Sequence, residues 1–97
     1  MAEACPRLIA RDYLDYLGKV RFLSPATVKA YRGDLEVFLG RLEALGLSAE
    51  GLGHREIRAF LAELAKKKLS PASINRALAA LRGFYAFAVE RKLYSSN

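Results

Sequence analysis

The side chains with the clearest chemistry are hydroxyls and cations in two matching segments. Residues 23–29 read Leu-Ser-Pro-Ala-Thr-Val-Lys, and residues 69–75, forty-six positions later, read Leu-Ser-Pro-Ala-Ser-Ile-Asn. A Ser at a helix N-cap accepts hydrogen bonds from first-turn amides, and a Pro after it has a preset φ and no N–H. Hydroxyls beside unpaired first-turn amides suit phosphate oxygens. The repeat predicts two helix N-termini with a similar function. The alternative, that each Ser-Pro pair only starts a helix, stays open.

Basic charge is concentrated around these two segments. The net charge is +6, and residues 1–65 carry as many acidic as basic side chains. The whole excess lies in residues 66–92, and a second window without acids covers residues 16–33. Cations gathered at helix N-termini indicate a surface for a polyanion. A solvated basic face that binds nothing in particular is the alternative.

Several classes of function are not supported by any pattern in the chain. Cys5 is the single cysteine and His54 the single histidine, which argues against a disulfide or a zinc site. No glycine-rich phosphate loop, paired carboxylates or nucleophile elbow is present. No apolar run suits a membrane span, and the N-terminal residues, which include Glu3, lack the apolar segment of a secretory signal. We therefore expect a binding module without catalytic residues, cofactor, metal or small-molecule substrate, located in the cytoplasm.

The periodicity of apolar residues predicts four helices and no strand. The predicted helices cover about 6–17, 25–45, 55–68 and 71–91, with a glycine-rich loop at 46–53. The chain is expected to be one compact all-α domain spanning 1–97. Residues 93–97 are expected to fray or to begin a linker.

The two longer helices are predicted to have similar outward faces of small residues with few long cations. Their expected buried stripes end at Leu45 and Ala88, and the third helix is expected to bury Ala65. Phe87 is predicted to lie near the outward side. The outward faces comprise Ala26, Lys29, Ala30, Gly33, Glu36 and Gly40 in the second helix, and Ala72, Arg76, Ala79, Gly83, Ala86 and Glu90 in the fourth.

Such faces suit the major groove of DNA, which is about 12 Å wide and admits a helix about 10–12 Å across. Small residues let the helix enter, and we expect Lys29 and Arg76 to form one cationic seat for a duplex. Arg76 can fork onto guanine. The hydroxyls of Ser24, Thr27, Ser70 and Ser73 suit phosphates, with general attraction from Arg21 and from Lys66 to Lys68.

Three segments together resemble the N-terminal core-binding domain of Xer-type tyrosine recombinases and integrases. They are Leu23-Ser-Pro-Ala-Thr-Val-Lys-Ala-Tyr-Arg-Gly-Asp-Leu35, Ile57-Arg-Ala-Phe-Leu61 and Leu69-Ser-Pro-Ala-Ser-Ile-Asn-Arg-Ala-Leu-Ala-Ala-Leu-Arg-Gly-Phe-Tyr85. The resemblance implies a SAM-like orthogonal four-helix bundle that forms half of a C-shaped clamp on the recombination site. It implies that DNA is faced by Thr27, Lys29, Ala30 and Gly33 of the second helix and by Ser73, Asn75, Arg76 and Ala80 of the fourth.

The same resemblance implies that the catalytic residues lie in a separate C-terminal domain, so this chain by itself is expected not to be an enzyme. Members usually continue past the position of Asn97. Expected partners are double-stranded DNA and other recombinase protomers, in DNA integration or chromosome-dimer resolution at a bacterial or archaeal nucleoid.

The competing hypothesis is a helical protein-interaction module. It would use Phe87 and the first helix, while the basic face attracts an acidic partner.

Overall fold

The computed structural model describes residues 5–95. Within that range the chain forms four α-helices. They are α1 (Pro6–Lys19), α2 (Pro25–Leu45), α3 (His54–Lys66) and α4 (Pro71–Glu90). The all-α prediction is confirmed, and no strand occurs within 5–95. Four bounds differ from expectation by one or two residues: α1 continues through Gly18 to Lys19, α3 begins one residue and ends two residues earlier, and α4 ends at Glu90.

Both Ser-Pro segments start a helix by the same hydrogen bonds. Ser24 Oγ accepts from the amide of Thr27, and Ser70 Oγ accepts from the amide of Ser73, each at 3.1 Å. The N-cap prediction is therefore confirmed at both positions. α3 begins differently, since the side chain of Glu56 reaches back and its Oε1 accepts from the amide of Gly53 at 2.9 Å.

Left-handed residues end three of these helices. Gly46, Lys68 and Lys92 have φ of 68°, 63° and 60°. In each case the following Leu donates its amide to the carbonyl five residues earlier, which is the Schellman arrangement. Phe22, with φ 55°, stands two residues before Ser24 as Lys68 stands two residues before Ser70. The two junctions into α2 and α4 therefore share a left-handed residue at the same position before the cap, although Leu23 donates six residues back to Leu17 where Leu69 donates five back to Leu64.

The centre of the core repeats the forty-six-residue spacing. The largest fully buried side chains are Leu35 and Phe38 of α2 and Leu81 and Phe84 of α4. α4 packs against each of the other three helices. Phe38 meets Phe60 of α3 edge to face, with ring centroids 5.2 Å apart. Equivalent positions of the two long helices thus form one shared centre.

The side of α4 that was expected to face outward near its C-terminus is covered by α1. Phe87 is buried, with its ring 5.6 Å from Tyr13 and 5.5 Å from Tyr16, so the prediction that it lies outward is wrong. Arg91 stacks over the Phe87 ring at 4.7 Å. A helical wheel locates the main buried stripe but does not show that a second helix packs beside it.

Tyr13 of α1 packs directly against Gly83 of α4. A Cβ at this position would overlap the Tyr13 hydroxyl and lie 2.8 Å from Tyr13 Cζ. The expectation that Gly83 belongs to an outward face is wrong, because Tyr13 covers it. Burial also raises the pKa of Tyr13 to about 12. Gly83 is therefore explained by packing between helices.

Three further expectations about burial are corrected. Leu45 and Ala65, placed on buried stripes, are exposed, because each lies at a helix end beyond the packed region. Residues 93–95 do not fray: Tyr94 is buried with its ring 6.2 Å from Phe84, and the amide of Ser95 donates to Glu50 Oε2 at 2.9 Å. Residues 96–97 of the expected linker lie outside the described part of the chain.

Candidate nucleic-acid interface

The N-terminal halves of α2 and α4 lie side by side and are joined by one ion pair. Arg76 Nε donates to Asp34 Oδ2 at 2.8 Å, and Arg76 Nη2 donates to Asp34 Oδ1 at 2.9 Å. The Asp34 side chain is only 12% exposed. This two-pronged geometry holds a guanidinium firmly, because both of its bonds are charge-assisted. The pair therefore fixes how the two Ser-capped helices sit against each other.

The same bonds change the role expected for Arg76. Its guanidinium fork already holds a carboxylate, and the hydrogen bonds that Arg76 donates to Asp34 raise the pKa of Arg76. The expectation that this fork reaches guanine is therefore wrong for the conformation seen here. Sequence reasoning missed Asp34, although it is the residue that ends the acid-free window of 16–33.

Lys29 lies on a different side of α2 from Arg76. It is exposed and lines a hollow of 570 Å³ with Lys19 and Gly18 of α1. Asp34 follows Lys29 by five residues, so the two side chains leave α2 about 140° apart. The expected single cationic seat made of Lys29 and Arg76 is replaced by two cations that flank α2 on separate sides.

The hydroxyl groups at the two helix starts are paired in the same way. Ser24 Oγ donates to Thr27 Oγ1 at 2.9 Å, and Ser70 Oγ donates to Ser73 Oγ at 3.0 Å. Thr27 and Ser73 accept in these bonds, and each keeps its own O–H as a donor. Each helix start thus offers one directed hydroxyl donor, which fits a phosphate oxygen.

The other candidate residues divide into exposed and buried positions. Lys68, Asn75 and Gly33 are exposed, and a Cβ at Gly33 would meet nothing within 4 Å. Ala30 is half-buried. Ala80 is 0% exposed, so the expectation that it faces DNA is wrong. Its side of α4 is occupied by neighbouring helices, since α4 is the element that touches all the others.

The forty-six-residue spacing also identifies equivalent surface positions. Asn75, not Arg76, occupies on α4 the position that Lys29 occupies on α2. Ala79 is in the same way equivalent to Gly33, and both are exposed. An Asn side chain can pair with the N6 and N7 edge of adenine. The helical wheel did not single out Asn75, although aligning the two segments by their Ser-Pro pairs would have done so.

Comparison with known proteins decides the family. The family described as "Phage integrase, N-terminal SAM-like domain" matches residues 10–92. This chain belongs to that family. The resemblance drawn from the sequence is thereby confirmed, and the four helices are those of a SAM-like domain.

Relatives of this SAM-like domain are bacterial tyrosine recombinases. Tyrosine recombinase XerC of Treponema denticola is 43% identical over 89 residues, covering 92% of this chain and 29% of the relative. Tyrosine recombinase XerC of Oceanobacillus iheyensis is 40% identical, covering 84% of the chain and 27% of the relative. Tyrosine recombinase XerD of Shewanella oneidensis is 34% identical, covering 88% of the chain and 28% of the relative. The chain thus spans less than a third of these relatives, and no solved structure matches it significantly.

The SAM-like domain also carries an apolar groove that sequence reasoning missed. It lies between α3 and α4, has a volume of 830 Å³ and is lined mainly by Leu52, Ile57, Leu61, Leu78 and Val89. Within residues 5–95 no group of three or more His, Cys, Asp or Glu side chains could hold a metal ion. No helix in that range is long and apolar enough to cross a membrane.

Proposed function

We propose that this domain binds duplex DNA with α2 and α4 against the major groove, as the N-terminal half of a tyrosine recombinase clamp. The observation that carries the proposal is that the Asp34–Arg76 pair joins the N-terminal halves of the two Ser-capped helices. Lys66, Lys67 and Lys68 directly precede the start of α4, and Lys19, Arg21 and Lys29 flank the start of α2 in the sequence. A polyanion would therefore meet cations beside both helix starts.

Roles can be divided by chemistry. Thr27 and Ser73, with the first-turn amides, bind phosphate oxygens and set the register of the domain on the duplex. Lys29 and Asn75 occupy equivalent exposed positions and contact base edges or the phosphates beside them. Gly33 and Ala79 leave room for the backbone of each helix to approach the groove. Lys68 adds phosphate attraction at the junction into α4.

In the full-length protein, this binding serves site-specific recombination. The relatives named above are tyrosine recombinases more than three times as long as the matched region. We place the catalytic residues in the remainder of such a protein, so this chain alone binds without catalysing. Its partners are then double-stranded DNA and other protomers of the recombinase, in a bacterial cytoplasm at the nucleoid. Chromosome-dimer resolution is the pathway that we propose over mobile-element integration, because the similar proteins are named XerC and XerD.

A titration of a fluorescein-labelled 30-bp mixed-sequence duplex tests the proposal by fluorescence anisotropy at several salt concentrations. We expect saturable binding whose affinity falls steeply with salt, because each neutralised phosphate releases counterions. Isotope-labelled protein should show chemical-shift changes in 24–33 and 70–80. Binding with no salt dependence, or shifts confined to α3, would refute the proposal.

The competing function as a protein-interaction module loses its expected surface, because Phe87 is buried under α1. The groove between α3 and α4 is the feature that favours a protein partner instead. We propose that it receives another recombinase protomer on the same DNA. Ala86 is exposed and lines this groove, so Ala86→Glu should weaken cooperative binding to a duplex of two sites while leaving single-site affinity unchanged. Unchanged cooperativity would reject this second candidate.

A further inference from the structure

Phe22 combines two features that are unfavourable in an isolated domain. Its side chain is 82% exposed, whereas the next most exposed large apolar side chain within 5–95 is Val20 at 58%. Its backbone has φ 55°, in the left-handed region that bulky side chains rarely adopt. The left-handed turn closes the end of α1, where the amide of Leu23 donates to the carbonyl of Leu17 at 3.0 Å, and this turn does not require a phenylalanine. Neither the core nor the caps of the fold explain an aromatic ring at this point.

The surroundings of Phe22 indicate a polyanionic partner. Phe22 lines the 570 Å³ hollow together with Ser24, Pro25 and Lys29. Lys19 and Arg32 line the same hollow, and Arg21 is the adjacent residue. The hollow contains one carboxylate, that of Asp15, which lies 4.0 Å from Lys19 Nζ. An exposed aromatic ring is therefore held among cations.

The second junction provides an internal reference. Lys68 has the same left-handed conformation and the same position two residues before the cap serine. In the proposed complex Lys68 reaches a phosphate. Because both residues are left-handed and stand two positions before a cap serine, we expect the residue at position 22 to lie near the duplex as Lys68 does. Lys68 supplies a positive charge at the junction into α4, and Phe22 supplies an aromatic ring at the junction into α2.

We propose that Phe22 is a DNA-contacting residue whose ring packs against deoxyribose and base edges at the margin of the groove that α2 enters. The inference rests on the proposed function and adds an apolar contact to it. Phenylalanine contacts base methyl groups and inserts at base steps in other DNA-binding proteins. A second copy of this chain is a poorer occupant, because it would bring a like-charged hollow against this one.

The test compares glycine substitutions at two left-handed positions by anisotropy with the 30-bp mixed-sequence duplex and by thermal unfolding. Phe22→Gly removes the ring and relieves the backbone, so we expect a higher midpoint of unfolding with about five- to tenfold weaker DNA binding. The salt slope should not change, because no charge is lost. Lys92→Gly is the matched control, with a higher midpoint and affinity weakened by less than twofold. Phe22→Asn, which also tolerates this conformation, should behave like Phe22→Gly.

A second measurement locates the contact directly. Irradiation of the complex with duplex containing 5-bromodeoxyuridine, followed by trypsin and fragmentation of the crosslinked peptide 22–29 in the mass spectrometer, should place the crosslink on Phe22 and not on Thr27 or Lys29. The inference is overturned if wild-type protein binds the duplex and Phe22→Gly binds it equally well, or if the crosslink maps elsewhere. If wild-type protein does not bind duplex at all, the proposed function itself fails.

Discussion

The helices α2 and α4 begin with nearly the same sequence, yet their outward faces differ. Both have a Ser cap followed by a buried Leu and a buried Phe at the same spacing. On α2, Lys29 and Gly33 remain open to solvent. On α4, Arg76 is held by Asp34 and Gly83 is covered by Tyr13. The repeat therefore encodes how each helix starts and packs, whereas the surfaces have separate roles.

The position of each helix in the bundle explains the difference. α4 packs against α1, α2 and α3, whereas α2 packs mainly against α1 and α4. Tyr13 of α1 packs against the side of α4 that carries Gly83, so a small residue there serves close packing. The side of α2 that carries Gly33 meets no neighbouring helix, so packing does not require a glycine there. Packing between helices therefore constrains a glycine of α4, at position 83, but not a glycine of α2, at position 33.

Glycine-to-alanine substitutions should break this comparison most clearly. Gly83→Ala forces a Cβ against Tyr13, and we expect a loss of about 3 kcal/mol in the free energy of unfolding from overpacking. Gly33→Ala meets open space and should raise that free energy by about 0.5–1 kcal/mol, because Ala favours a helix. Urea denaturation measures both. Changes of the same sign in the two variants would contradict the assigned roles.

The ion pair between α2 and α4 should have the next largest effect. Arg76→Ala leaves the half-buried carboxylate of Asp34 without its partner, and we expect a loss of about 2 kcal/mol in urea denaturation. Arg7→Ala is the matched control, because Arg7 forms the same two bonds to Glu43 where both side chains are exposed. The control should have an unfolding midpoint close to that of the wild-type protein. Equal losses in the two variants would show that burial of Asp34 does not matter.

Alkaline pH should weaken the contact between α1 and α4. The pKa of Tyr13 is about 12 in the folded protein and about 10 in an unfolded chain, so the folded state holds this proton more tightly. The stability from this group is complete below pH 10 and is lost as the pH rises from 10 to 12, by about 2 kcal/mol. Urea denaturation across this range measures the loss. The Tyr13→Phe variant should lose less stability over this pH range. A pH profile identical to that of the wild-type protein would exclude Tyr13 as the source of the loss.

Substitutions at equivalent surface positions should sharpen the comparison through DNA binding. Lys29→Ala should weaken duplex affinity about fivefold and reduce the salt slope by about one, as expected for a phosphate contact. Asn75→Ala should weaken affinity by a similar factor with the salt slope unchanged, because no charge is removed. Anisotropy titrations at four salt concentrations distinguish the two results. An unchanged slope for Lys29→Ala would assign it no phosphate contact.

Much of the fold follows from local signals in the sequence. The two Ser-Pro caps and the glycine-rich loop predicted the start of α2 and α4 and the end of α2 correctly. The helical wheel of α4 also placed Leu81 and Phe84 correctly in the core. Errors arose where a second helix covers a flank, as at Phe87 and Gly83, because periodicity reports one buried stripe and does not identify neighbours.

Less of the candidate site could be predicted. The exposure of Lys29, Gly33 and Asn75 agrees with their assignment to a surface, and their contact with DNA stays a prediction. The partner of Arg76 lies forty-two residues away in sequence, so no local pattern could show that its fork is occupied. The strain at Phe22 was equally hidden, because residue identity alone does not report φ.

The sequence by itself determined the number of helices, the two Ser-Pro caps, the basic windows and membership of the family, because these depend on residues near one another or on summed charge. Only the tertiary structure decided which cations stay available, which glycine is a packing contact and which aromatic ring remains in solvent. Those properties depend on distances between residues far apart in the chain. The Asp34–Arg76 pair and the contact of Tyr13 with Gly83 exist only once the helices have packed.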